Sequence, residues 1–155
     1  MYSAIVDAPI DVPSILRRAA CNGNGATVLF LGTVRHVNDG RGVSGIEYTA
    51  YRSMAERELA TIVEEAAALA DSNDVAVEHR LGELSIGECS VAIAVGHPHR
   101  ERAFEVARYV IEQIKQRVPI WKCEQYVDGT REWVRATSSA GSGEAVELVD
   151  AGDAP

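Results

Sequence analysis

The chain has 155 residues, 46% hydrophobic and 25% charged, a globular balance with enough length for one domain and its core, which excludes collagen, coiled coil and wholesale disorder. Its formal charge of −8 and pI near 5.0 would repel a polyanion, so a nucleic-acid coat or a binder of anionic membranes is not expected, and any anion must be met by a local basic site. No apolar run reaches the roughly 20 residues needed to cross a bilayer, and residues 1–11 carry Asp7 without a basic leader, so the expectation is a cytoplasmic protein with no membrane partner.

In chain order, Tyr2–Val6 suits a strand, after which Asp11 can cap a helix with Pro13 in its first turn, running over 14–20. The sequence CNGNG ends that helix, and residues 26–34 form a β-rich run. Residues 35–42, RHVNDGRG, read as a mobile loop around Asn38-Asp39-Gly40, and 43–51 return as a strand. Ser53 and Glu56 have capping-box spacing, and Leu59, Ile62, Val63, Ala66 and Leu69 follow at helical period, which predicts an amphipathic helix over 54–71. Strands over 75–80 and 89–96 are joined through Gly82 and Gly87. A second long helix starts at Arg100 and is stopped by Pro119. Residues 120–127 and 132–136 flank Asp128-Gly129 as a closing hairpin. The run from 138 to 155 is small, acidic and rich in Gly and Ser, and reads as a flexible tail on a domain spanning 1–137. Irregularly interleaved strands and helices with one hairpin favour an α+β fold with a mixed or antiparallel sheet and two long helices over a doubly wound parallel sheet.

The most informative count is of lysine. Thirteen of the fifteen basic residues are arginine, and only Lys115 and Lys122 are lysine, seven positions apart around a proline. A desolvated lysine amine can give up its proton or act as a compact point charge, roles a guanidinium does not fill. The plainer alternative is that Lys115 complements the dipole of its helix and Lys122 is a solvated strand residue. Charge distribution favours the chemical reading: residues 100–122 carry a net +3, and the rest of the chain carries −11. At an effective dielectric near 20, each contact of an anion with such a cation at about 4 Å is worth about 4 kcal/mol before desolvation. The stretch Gly96-His-Pro-His-Arg100 joins a strand to a helix start, where free N–H groups with His99 and Arg100 could cradle a phosphate. His97 and His99 lack a nearby carboxylate or thiol, so loop-anchoring imidazoles are expected rather than a metal site. Arg35 leaves a strand into a glycine-containing loop where it could close over a ligand. His36 and His79 are isolated, and Trp121 reads as a core aromatic. Cys21, Cys89 and Cys123 are odd in number and contain no CxxC, so reduced thiols are expected.

Taken in order, Gly32-Thr-Val-Arg35 with Asn38, Glu47-Tyr48 and Tyr51, Met54-Ala55, His79-Arg80-Leu-Gly82, His99-Arg100 before Ala103-Phe104, Lys115, Pro119-Ile-Trp-Lys122 with Glu124, and Asp128-Gly with Trp133-Val134 resemble the large, catalytic subunit of molybdopterin synthase. The resemblance runs from about Gly25 to Val134. It implies a single-domain hammerhead-like fold that dimerises and carries a ubiquitin-like sulfur-carrier subunit at each end, forming a heterotetramer. It implies a sulfurtransferase that converts cyclic pyranopterin monophosphate into molybdopterin, taking sulfur from a thiocarboxylate on the carrier's C-terminal Gly-Gly, with no cofactor of its own. By motif match Lys115 and Lys122 would be the catalytic centre. Thr33, Val34 and Arg35 would line the substrate site, His99 and Arg100 would take the pterin phosphate, and Cys123 and Glu124 would complete the wall beside Lys122.

Two positions depart from the family pattern. Cys123 stands where a basic residue is usual, which admits a reactive thiol. Arg135 lies close to, but out of register with, an arginine that reaches the neighbouring protomer in the family, and Thr137 occupies its expected place. A carrier domain of roughly 80 residues does not fit in the chain, and the sequence ends in Gly-Asp-Ala-Pro, so the sulfur donor is expected to be a separate protein. The rival readings are a non-catalytic phosphopterin-binding module, a sulfurtransferase carrying a persulfide on Cys123, and a purely structural dimer subunit.

Overall fold

The computed structural model describes residues 1–135; Thr137 and the acidic run at 138–155 lie outside the described residues. Twelve elements follow one another there: β1 (Tyr2–Val6), α1 (Val12–Arg18), β2 (Ala26–Thr33), β3 (Val37–Asn38), β4 (Arg41–Ala50), α2 (Arg52–Ala70), β5 (Val75–Arg80), β6 (Gly82–Ser85), β7 (Cys89–His97), α3 (Arg100–Arg117), β8 (Ile120–Tyr126) and β9 (Arg131–Arg135). The α+β class holds, with two sheets where one was expected. Among the described residues no helix is long and apolar enough to cross a membrane.

The first sheet has the order β1-β5-β7-β2, with β1 parallel to β5 and the other pairs antiparallel. Its alternation sorts side chains by size. Val75, Val77, Ile93 and Val95 meet Leu59 and Ile62 of α2 and Val106 and Val110 of α3 in the main core. Ala76, Ala92 and Ala94 point to the other face, where their small side chains let Ile15 and Ala19 approach. Strand β7 is therefore buried on both faces, which explains its continuous apolar run. Asp11 caps α1 as expected, accepting the Ser14 N–H at 3.2 Å.

The second sheet runs β3-β4-β8-β9, with β6 on the other edge of β4 from β8. Three expectations fail here. Residues 35–42 are not a mobile loop: Asp39 and Gly40 both have positive φ (48° and 78°), the signature of a tight two-residue hairpin turn, and they fold β3 onto the start of β4. Strand β6 replaces the plain connection expected between Gly82 and Gly87: four residues carry no period of their own, and the strand exists through pairing with β4. The Ser53–Glu56 capping box does not form, because α2 starts two residues early, at Arg52, with Tyr51 as an N-cap that offers no side-chain bond. Tyr51 packs edge-on against Trp121 at 5.2 Å, and Arg52 ties the first turn to the Ile5 carbonyl at 3.0 Å. Trp121 is consequently half-buried at the sheet end rather than in the core.

His79 fills a structural role, as its isolation suggested. It is buried, its Nδ1 lies 3.0 Å from the Arg80 carbonyl, and Tyr48 meets its ring edge-on. Burial pushes the imidazole down to about 4, against a smaller opposing pull from the Arg80 carbonyl. Between that value and the ordinary 6.5 the unfolded chain binds a proton the folded chain refuses, so stability falls as pH falls through this window by up to about 3 kcal/mol. Denaturant titrations of wild type and His79→Gln from pH 7 to pH 4 are expected to show that extra loss in wild type alone.

Candidate functional site

The sheet register decides what β8 presents. Tyr48, Lys122 and Val134 are cross-strand neighbours, as are Ile46, Glu124 and Glu132, so Lys122 and Glu124 share a face. Cys123 lies between them and points to the opposite face. Glu124 is 1% exposed, a position where a carboxylate needs donors in place of water. It has three. Lys122 Nζ donates to Oε1 at 2.6 Å, while Tyr126 OH and Asn38 Nδ2 donate to Oε2 at 2.7 and 2.9 Å. Asn38 Oδ1 in turn accepts from Arg35 at 2.8 Å. A continuous chain thus joins Arg35, Asn38, Glu124 and Lys122, with Lys122 directly on the buried anion and Arg35 linked to it through the Asn38 amide.

Burial alone would raise the Glu124 carboxyl, and the bonds from Lys122, Tyr126 and Asn38 more than offset it, holding the group below the usual carboxylate range. Burial pushes the Tyr126 hydroxyl up, reinforced by Glu124, so it stays protonated and remains a donor. Arg41 stacks on the Tyr126 ring with its guanidinium carbon 3.4 Å from the centroid and pairs with Glu132 at 3.0 Å.

The other candidate residues are dispersed. Lys115 is half-buried in the last turn of α3, where its charge complements the helix dipole. Of the basic cluster around it, Arg117 is consumed by Glu58 and Glu65 at 2.6 Å each, and Arg102 by Glu105 at 2.7 Å. Thr33 and Arg35 are exposed, whereas Val34 is buried in a small core with Val43, Ile46, Leu84 and Tyr126. The Val34 N–H and carbonyl are both paired, to Glu88 and Gly87, so Val34 supports Arg35 from beneath. His99 and Arg100 are exposed at the start of α3 beside Gly25, which approaches so closely that an added Cβ would lie 2.5 Å from the Pro98 oxygen. The His97 ring nitrogen takes the His99 backbone N–H at 2.9 Å, the loop-anchoring role expected of it. Arg100 and Lys115 are fifteen residues apart on one helix, about 22 Å at 1.5 Å per residue, so one chain does not bring the phosphate cradle to the lysines.

Cys123 is 1% exposed, with the Arg131 guanidinium against its sulfur and Glu47 accepting from Arg131 at 2.8 Å. All three cysteines are unpaired. Sequence reasoning missed Asn38 and Tyr126 as site residues. Asn38 reads as a turn former in sequence, and the signals for it are its place one residue before an Asp-Gly turn and its presence beside Gly32-Thr-Val-Arg35 in the family motif set.

The MoaE family model, described as MoaE protein, matches residues 5–117. The chain belongs to the MoaE family. The MoaE chain is 39% identical over 142 residues to the molybdopterin synthase catalytic subunit of Nostoc sp., covering 91% of this chain and 86% of that protein. Among solved structures it resembles molybdopterin synthase from Staphylococcus aureus with a TM-score of 0.78 and 37% identity, covering 84% of this chain and 94% of that one. The fold recurs in a Helicobacter pylori complex of subunits 1 and 2 of molybdopterin-converting factor, with a TM-score of 0.65 and 24% identity over 83% of this chain and 87% of that one.

The Lys122–Glu124 pair yields a stability test. Lys122→Met leaves the carboxylate buried without its cation and is expected to cost about 3–5 kcal/mol, and adding Glu124→Leu to recover part of the loss because no charge then remains buried. Chemical denaturation of the two variants checks both.

Proposed function

We propose that this MoaE chain is the catalytic subunit of a molybdopterin synthase, acting in the cytoplasm on cyclic pyranopterin monophosphate with sulfur from a thiocarboxylated, ubiquitin-like small subunit. The observation that carries the reading is the Arg35–Asn38–Glu124–Lys122 chain: it sets a net positive centre at one edge of an acidic protein of this family. Substrate phosphate, thiocarboxylate and nascent dithiolate are all anions, and a preorganised cation both binds them and offsets charge that develops during transfer. In this scheme the thiocarboxylate sulfur forms a C–S bond at a side-chain carbon of the pterin as the C–O bond there breaks, the oxygen leaving as water or on the phosphate; water then cleaves the acyl–sulfur bond, and the carrier leaves as a carboxylate. Two carriers are consumed per dithiolene. Lys115 stabilises or protonates the intermediate, and Lys122 orients the thiocarboxylate and the departing carboxylate.

His99 and Arg100 hold the pterin phosphate from a second copy of the chain. Their separation from Lys115 along α3 supports this, as does Phe104, which is 63% exposed one turn beyond Arg100 with Phe30 and Leu31 also exposed on the edge strand β2. A two-fold dimer presents each chain's cradle to the other's lysines reciprocally. The fold shared with one subunit of the Helicobacter pylori complex supports a small-subunit partner. A persulfide on Cys123 is disfavoured because that thiol is buried on the far face of β8 from Lys122.

The purified chain, mixed with thiocarboxylated carrier and cyclic pyranopterin monophosphate, is expected to form dithiolene without another sulfur source. Lys122→Ala and Lys115→Ala abolish turnover while carrier binding stays nearly intact, and loss of carrier binding instead would remove Lys115 from its role. Binding of the pterin by wild type without sulfur transfer would favour the binding-module reading. For the shared site, a chain with His99→Ala and Arg100→Ala is refolded with a Lys122→Ala chain. Each alone is inactive, and the mixture is expected to recover about a quarter of the wild-type rate, since half the random dimers hold one intact site; no recovery would place the site within one chain.

A further inference from the structure

Asn38 ends a strand only two residues long, yet it uses both ends of its amide: Nδ2 donates to Glu124 across 86 positions of sequence, and Oδ1 receives Arg35. A planar amide can accept from a guanidinium and donate to a carboxylate at once. A carboxylate in its place would keep the first bond and repel Glu124, and an ammonium would do the reverse. The hairpin holds this amide in place twice over. Its register partner across the Asp39-Gly40 turn is Arg41, which stacks on Tyr126, and Tyr126 itself donates to Glu124. One arm of the hairpin therefore reaches the carboxylate directly and the other reaches it through the Tyr126 ring.

Resting on the reading of Lys122 as a cation of the sulfur-transfer site, we propose that Asn38 is a positioning residue, which clamps the hairpin bearing Arg35 onto the Lys122–Glu124 pair so that both cations meet the anionic substrate in one frame. Asn38 acts through Arg35 and Glu124. Without its amide the hairpin keeps its backbone pairs and the Arg41 contact, but Arg35 loses the acceptor that orients it and Glu124 loses one of its three donors. The charged and titratable groups around Glu124 are Lys122 and Tyr126 on β8, Glu132 across the strand on β9, Arg41 on the second arm of the hairpin, and Arg35 two residues before its first arm.

The test compares wild type, Asn38→Ala, Asn38→Asp and Tyr126→Phe in the carrier-dependent assay, with the pH profile of kcat and a carbon-13 NMR titration of the Glu124 carboxyl. Asn38→Ala is expected to lower kcat/KM about tenfold, the usual effect of losing a hydrogen bond to a charged group. With a donor gone, burial pushes the carboxyl up, so the acid limb of kcat moves to higher pH by about half a unit. Asn38→Asp moves it further, because a second carboxylate then faces Glu124. Tyr126→Phe shifts the limb in the same direction with KM for the pterin unaltered, since the Arg35 link is untouched. A wild-type kcat/KM in Asn38→Ala overturns the inference, as does a rate loss uniform with pH, which marks a merely structural hairpin contact. A Glu124 carboxyl that titrates at the wild-type pH in Asn38→Ala overturns it whatever the activity. If wild type itself forms no dithiolene while the titration moves as expected, the sulfur-transfer reading fails and the clamp on Glu124 stands.

Discussion

Glu124 carries its negative charge where almost none of its surface reaches water, and a carboxylate in that position persists only if protein donors replace the lost hydration. Lys122, Tyr126 and Asn38 do so from two elements, and each is thereby fixed. A buried ion pair of this kind is weak evidence for stability, because desolvating both charges consumes most of what their attraction returns. What it supplies is geometry: an ammonium held at one point, and a hairpin anchored to a strand more than eighty residues away in sequence.

The rest of the fold makes that geometry available. The first sheet and the helices α2 and α3 form the main core, and the ladder β4-β8-β9 stands beside it, joined through Ile120 of β8. Helix α3 joins two groups of candidate site residues. Its C-terminal turn carries Lys115 and leads through the Val118–Pro119 corner into the strand of Lys122, while its N-terminus carries His99 and Arg100. A rigid helix keeps those ends apart, and this separation turns an apparent single-pocket motif set into a question of how two chains meet.

Charge is handled the same way at both scales. The chain is acidic as a whole, and most of its arginines serve structure: Arg117 bridges α3 to α2, Arg80 pairs with Glu88 beside β6, and Arg52 fixes the start of α2. The +3 balance of residues 100–122 therefore overstates the cation available to a ligand, because Arg117 and Lys122 are already paired with Glu58, Glu65 and Glu124 outside that segment. Pairing, which composition does not record, decides what remains.

The sequence by itself determined the elements with a strong period and their chemistry. Helices α2 and α3, the buried strands β5 and β7 and the closing hairpin were legible because apolar spacing and turn residues act locally, and the scarcity of lysine singled out Lys115 and Lys122. Arg35 stood out by its place between a strand and a loop, and family resemblance added Glu124. Tertiary structure alone decided the rest. Strand β6 and the Asn38 hairpin exist through pairing with β4, the α2 cap was displaced by Tyr51 packing on Trp121, and Cys123 was turned away from Lys122 by strand alternation. The link from Arg35 through Asn38 to Glu124 is invisible in the chain because hydrogen bonds depend on distance in space, and here the sheet brings together residues that the sequence keeps far apart.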